Sequence, residues 1–88
     1  MIYKIGFIGT GVMGGALARA VRKSEESVLL SNVPESVARD LAGEINCEVG
    51  TNKQVASECE YIVLAVKPQI IREVLSEIAP VIRKRTDK

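Results

Sequence analysis

Histidine and tryptophan are absent from the 88 residues, and aromatic side chains make up only 3% of them. Without histidine, the commonest general base and the commonest metal ligand are both missing. So few aromatics leave no platform on which bases could stack. Charge of one sign is lacking too. Twelve Lys and Arg stand against eleven Asp and Glu, for a net charge of +1, with no basic stripe of the kind nucleic-acid binding needs. Cys47 and Cys59 are too few and too far apart for a disulfide framework or a metal cluster. They read as free thiols acting as small hydrophobes in a reducing cytoplasm. No apolar run reaches membrane-spanning length, and glycines break the apolar N-terminus before it could serve as a signal peptide. Linkers, repeats and low-complexity tracts are also missing. A chain of this length makes at most one small domain, residues 1–88, with a core of modest size.

What is present is concentrated near the start. Lys4-Ile5-Gly6-Phe7-Ile8-Gly9-Thr10-Gly11-Val12-Met13-Gly14 reads as a buried strand, a glycine turn and the opening of a helix. Gly9, Gly11 and Gly14 have the G-x-G-x-x-G spacing of a dinucleotide-binding turn. Gly9 lets the chain turn sharply, Gly11 keeps side-chain atoms away from a pyrophosphate, and Gly14 lets the helix lie close on the sheet. Unpaired amides at the helix start, with the positive end of its dipole, would then face the phosphates. A glycine triplet alone also occurs in ligand-free turns; the strand before it and the amphipathic helix after it raise its meaning.

Along the rest of the chain, strands and helices alternate. The first strand covers Ile2 to Ile8 and the first helix Val12 to Lys23, with Met13, Leu17, Ala20 and Val21 forming its apolar face. A second strand, Val28 to Leu30, ends at Ser31-Asn32. Pro34 suits the first turn of a helix that carries Val37, Ala38, Leu41 and Ala42 and stops near Gly43. Glu48 to Gly50 makes a short third strand, and Asn52 is placed to cap a brief helix through Ser57. Tyr61 to Val66 is the clearest strand of all. The last helix, Gln69 to Ile78, presents Ile71, Val74, Leu75 and Ile78; Pro80 should kink or restart it, and 83–88 read as a solvated tail.

This alternation predicts an α/β fold, a Rossmann-like parallel sheet of order 3-2-1-4. Gly9 to Gly11, Ser31 to Val33 and Ala65 to Pro68 then meet beyond the strand ends, where the order reverses and a dinucleotide binds.

The run Gly6 to Gly14, taken with Ala65-Val66-Lys67-Pro68-Gln69, resembles the N-terminal half of pyrroline-5-carboxylate reductase. The likeness extends through Ser31-Asn32 and Asn52, and it is the Ala-Val-Lys-Pro ending that favours this family over other dehydrogenases sharing the glycine motif. It implies NADPH- or NADH-dependent reduction of 1-pyrroline-5-carboxylate to proline. In that family Ile8, Gly9, Thr10, Gly11, Val12 and Met13 would wrap the pyrophosphate. Ser31, Asn32 and Val33 would lie beside the adenosine ribose, Asn52 would contact the adenosine side, and Ala65, Val66, Lys67 and Pro68 would line the nicotinamide end. Family members continue into further strands and a helical domain that dimerises and holds substrate, so these residues are expected to form a cofactor floor, truncated before the fifth strand and inactive alone.

Val33 stands where the family often has an arginine for a 2′-phosphate, and Asn32 stands where an acid would bind a free 2′-hydroxyl. The missing acid permits NADP(H), which is the form favoured over NAD(H) on this reading. Lys67 is expected to have a structural or electrostatic role at the strand end rather than a catalytic one, so no catalytic residue is assigned. The competing classes are a non-catalytic nucleotide-binding module and a surface for association, through an exposed fourth-strand edge or the last helix.

Overall fold

The computed structural model describes residues 2–25 and 27–86. Eight elements follow one another: β1 (Tyr3–Ile8), α1 (Val12–Arg22), β2 (Val28–Ser31), α2 (Glu35–Ile45), β3 (Glu48–Val49), α3 (Asn52–Glu58), β4 (Cys59–Leu64) and α4 (Pro68–Thr86). All strand pairs are parallel, in the order β3-β2-β1-β4. The fold is therefore the Rossmann-like α/β sheet expected from the alternation of strands and helices.

Both faces of the sheet are covered, which explains why its strands do not alternate apolar with polar residues. Phe7, Val28 and Leu30 face a core shared with Ala18 of α1 and Ala38, Leu41 and Ala42 of α2. Ile8 and Leu29 face the other way, into a core closed by Val55, Ala56, Cys59, Val74 and Ile78. The register levels the strand ends: Ile8 lies opposite Ser31 on one side and Leu64 on the other. As a result Gly9, Asn32 and Ala65 leave the sheet together.

Several local expectations are corrected. In α1 the buried residues are Gly14, Gly15 and Ala18, while Met13 is 74% and Leu17 44% exposed and Ala20 is exposed; of the expected face, only Val21 packs on the core. A Cβ built at Gly14 would lie 2.1 Å from the Gly9 carbonyl oxygen, so α1 sits too close to the turn for any face but its smallest. Close approach overrides the hydrophobic stripe. Helix α2 runs past Gly43 and ends where Asn46 takes φ 58°, a left-handed stop that asparagine tolerates. Strand β4 begins and ends two residues before the expected run, because β1 turns away after Ile8 and leaves Ala65 and Val66 without a pairing strand.

Helix α4 neither restarts nor stops at Pro80, and residues 83–86, expected in a tail, continue the helix; residues 87 and 88 of that expected tail lie outside the described residues. Proline removes a single hydrogen bond there. Contacts beyond it compensate: Val81 and Ile82 pack on the second core, and Arg85 Nη1 donates to the Ala56 carbonyl at 2.6 Å. On the expected face Val74 and Ile78 are buried, but Leu75 is 44% exposed.

Candidate functional site

The glycine turn is built by two of its three glycines. Gly9 has φ +100°, and a Cβ there would lie 2.6 Å from the Ala65 carbonyl oxygen. Together with Gly14 it is required by the fold itself. Gly11 differs, since a Cβ at that position meets nothing within 4 Å. Its φ of −71° is one that other residues adopt. Packing gives no reason for glycine at 11.

The first turn of α1 is open in the same place. Gly11 is its N-cap, no side chain caps it, and no acid lies in that turn. The first amides of a helix have no partner within it. Thr10, 4% exposed, has a hydroxyl with no hydrogen-bond partner. An uncapped helix start and an unfilled space over Gly11 match what a phosphate needs.

The neighbouring strand ends are tied to the turn. Gly9 N–H donates to the Ser31 carbonyl at 2.8 Å, and Ala65 N–H to the Ile8 carbonyl at 2.8 Å. Thr10 N–H donates to Asn32 Oδ1 at 2.9 Å, while Asn32 Nδ2 donates to the Pro34 carbonyl at 2.9 Å. Both ends of the Asn32 amide are thus engaged in holding the turn against the end of β2.

Asn52 occupies an equally fixed place. It does not cap α3; Thr51 does, accepting from Gln54 N–H at 3.0 Å. Asn52 Oδ1 accepts a hydrogen bond from the buried Ser31 hydroxyl, and Asn52 Nδ2 donates to Glu77 Oε1 at 3.0 Å. The end of β2, the start of α3 and the middle of α4 are joined through this one side chain.

These elements enclose a cleft of about 270 Å³ lined by Ile8, Gly9, Asn32, Val33, Asn52 and Val66, closed on its far side by Ile70, Glu73, Val74 and Glu77. Of the expected residues, these first six come together there. Thr10, Gly11, Val12 and Met13 lie outside the lining, on the glycine turn and the opening of α1, with Val12 96% and Met13 74% exposed. Ser31 sits behind Asn52, Ala65 packs against the turn, and Lys67 and Pro68 are exposed and follow Val66 outside the lining.

None of the residues expected at the site lies on α4 beyond Pro68, yet α4 forms a wall of the cleft. Positions 70, 73, 74 and 77 have helical i, i+3, i+4, i+7 spacing, so the acids at 73 and 77 were legible as one face with Ile70 and Val74. Apolar periodicity by itself points to the neighbouring stripe, Ile71, Val74, Leu75 and Ile78.

Neither thiol belongs to this site. Cys59 is fully buried beside Gly6, and burial pushes its thiol up to about 11; burial also raises that of Cys47. Among the described residues no group of His, Cys, Asp and Glu could hold a metal ion, and no helix is long and apolar enough to cross a membrane.

Comparison with known proteins follows the same lines. The sequence model of a family described as NADP oxidoreductase coenzyme F420-dependent matches residues 4–86. A pyrroline-5-carboxylate reductase of Methanosarcina acetivorans is 39% identical over 80 residues, spanning 85% of this chain and 30% of that protein. Pyrroline-5-carboxylate reductase 3 of Mus musculus is 30% identical over 83 residues, spanning 90% of this chain and 30% of its own length. A pyrroline-5-carboxylate reductase of Glycine max is 33% identical over 87 residues, 93% of this chain and 32% of its own length. The chain therefore spans about 30% of the length of the curated relatives it matches. No solved structure gives a significant match.

Proposed function

Since the chain belongs to this NADP oxidoreductase family and corresponds to the N-terminal domain of pyrroline-5-carboxylate reductases, we propose that it binds a pyridine dinucleotide across the rim of its sheet. The observation that carries this reading is Gly11, a glycine that the fold does not need, set over uncapped amides. The pyrophosphate would lie on the turn from Gly9 to Met13. The adenosine half would extend between Val33, Asn52 and α4, and the nicotinamide half toward Ala65 and Val66.

The reduced nicotinamide, when bound, supplies a hydride. These residues contribute binding and orientation: Asn32 and Asn52 hold the strand ends in place, and the apolar side chains of Ile8, Val66 and Ile70 exclude water from part of the cleft. In the relatives' names the substrate is pyrroline-5-carboxylate, and we propose the same imine for a whole protein containing this domain. Lys67 is exposed and outside the cleft, so it receives no catalytic role. Hydride transfer needs the acceptor held in near-attack geometry, and reductase turnover by these 88 residues alone is expected to be negligible.

Calorimetric titration with NADH and NADPH tests the reading. Saturable binding of at least one, weakened at least about tenfold in Gly11→Ala while the thermal transition is kept, is the expected outcome. Absence of binding to both would refute it.

A second reading, self-association, is favoured by the position of β4 at the sheet edge with Tyr61 57% exposed, and by Leu75 on the outer face of α4. Sedimentation velocity should then show mass rising with concentration; a monomer throughout would exclude it.

A further inference from the structure

A path of hydrogen bonds runs from α4 to the glycine turn. Glu77 Oε1 accepts from Asn52 Nδ2 at 3.0 Å, Asn52 Oδ1 accepts from the Ser31 hydroxyl, and the Ser31 carbonyl accepts from Gly9 N–H at 2.8 Å. Ser31 is buried, whereas Asn52 and Glu77 both line the cleft. Glu77 lies between Val74 and Ile78, which anchor α4 in the second core, so packing sets where its carboxylate stands.

The two partners of Asn52 play different parts. A side-chain amide has a donor end and an acceptor end that exchange places on a half-turn, and a hydroxyl can meet either. Ser31 alone would therefore satisfy both orientations of the Asn52 amide. A carboxylate only accepts, so Glu77 takes the nitrogen and leaves the oxygen to Ser31. The nitrogen keeps a second hydrogen, which has no partner among the described residues. We infer that Glu77 is a positioning residue for dinucleotide binding, fixing the Asn52 amide so that its remaining N–H is available to an acceptor on the adenosine half. This rests on the dinucleotide reading above and concerns how the cleft is held, since Glu77 acts through Asn52. Without the carboxylate, the asparagine samples other orientations and binding must reorder it, which weakens affinity about two- to tenfold.

The test is calorimetric titration of the 88-residue protein with NADH and with NADPH, comparing Glu77→Gln with Glu77→Ala, each alone and combined with Asn52→Ala. Both substitutions at 77 remove the same charge, so the difference between them is not electrostatic; only the glutamine keeps an oxygen to which Asn52 can donate. Whichever dinucleotide binds the wild type should bind Glu77→Gln at least about threefold more tightly than Glu77→Ala, and that gap should close when Asn52 is replaced. In nuclear magnetic resonance spectra without ligand, the side-chain amide signals of Asn52 should move in Glu77→Ala and move less in Glu77→Gln. Equal affinities, a gap that persists without Asn52, or unmoved Asn52 signals in Glu77→Ala overturns the inference while leaving dinucleotide binding intact. If the wild type binds neither dinucleotide, the underlying reading falls as well. Glu77 is exposed; should Glu77→Ala nonetheless fail to fold, Glu77→Met, close to glutamine in shape, replaces it. Were the Asn52→Ala background unfolded, the affinity gap and the Asn52 signals still decide.

Discussion

Substituting alanine at Gly11 and at Gly14 should separate binding from folding. At Gly14 the added carbon lies 2.1 Å from the Gly9 carbonyl oxygen and 3.0 Å from the Ala65 side chain. Backbone meets it on one side, so α1 must move off the sheet. Overpacking of this kind costs about 1–3 kcal/mol. With a domain of this size losing about 4–8 °C per kcal/mol, a midpoint cost of about 2 kcal/mol lowers the melting temperature by about 8–16 °C. At Gly11 the same carbon enters open space. The small loss of N-cap preference is offset by reduced entropy of the unfolded chain, each worth only about 0.5 kcal/mol. Circular dichroism melts should place Gly11→Ala within about 3 °C of wild type. Yet a methyl group over the helix start displaces a pyrophosphate from its amides, and losing hydrogen bonds to a charged group costs about 1.5–3 kcal/mol each, so dinucleotide affinity should fall at least about tenfold. Unchanged affinity in Gly11→Ala, or an unchanged melt in Gly14→Ala, would refute the reasoning.

Three further outcomes follow from the packing. Pro80 is exposed within α4, so Pro80→Ala restores a donor to the Ser76 carbonyl and should stabilise by about 1–3 kcal/mol in urea unfolding; no gain would mean the helix is broken there. Thr51→Ala removes the cap of α3 and should cost about 1 kcal/mol by the same assay, a loss that disappears if Asn52 is the true cap. The Cys59 thiol is raised from its ordinary 9.0 to about 11 by burial, so the stability it lends is complete below pH 9 and is lost as pH rises toward 11. Tyr3, raised to about 12 chiefly by its hydrogen bond to Glu48, acts in the same direction above pH 10. Urea midpoints should therefore fall from about pH 8.5 to about pH 11, and Cys59→Ala should reduce the part that begins near pH 9, leaving the share of Cys47, which burial raises too; an identical fall in that variant would contradict the assignment.

How much was legible from residues alone depends on the range of the interaction. The glycine spacing, the apolar runs of β1, β2 and β4, and the helical periodicities between them are local, and they sufficed for the sheet order and for the meeting of Gly9, Asn32 and Val66 at one rim. The face that α1 buries was not local. Its apolar stripe and its small-residue stripe both satisfy helical spacing, and only the contact between Gly14 and the turn chose between them. The end of β4 was likewise set by where β1 turns away, and the survival of α4 past Pro80 by Val81, Ile82 and Arg85 reaching the second core.

The sequence by itself determined that a strand, a glycine turn and a helix would present open amides at the edge of a parallel sheet, because periodicity and backbone freedom act over a few residues. The tertiary structure alone decided what faces that opening. Glu73 and Glu77 stand far along the chain from the glycines, and the packing of α4 on Ile8 and Leu29 is what brings their charge to the cleft.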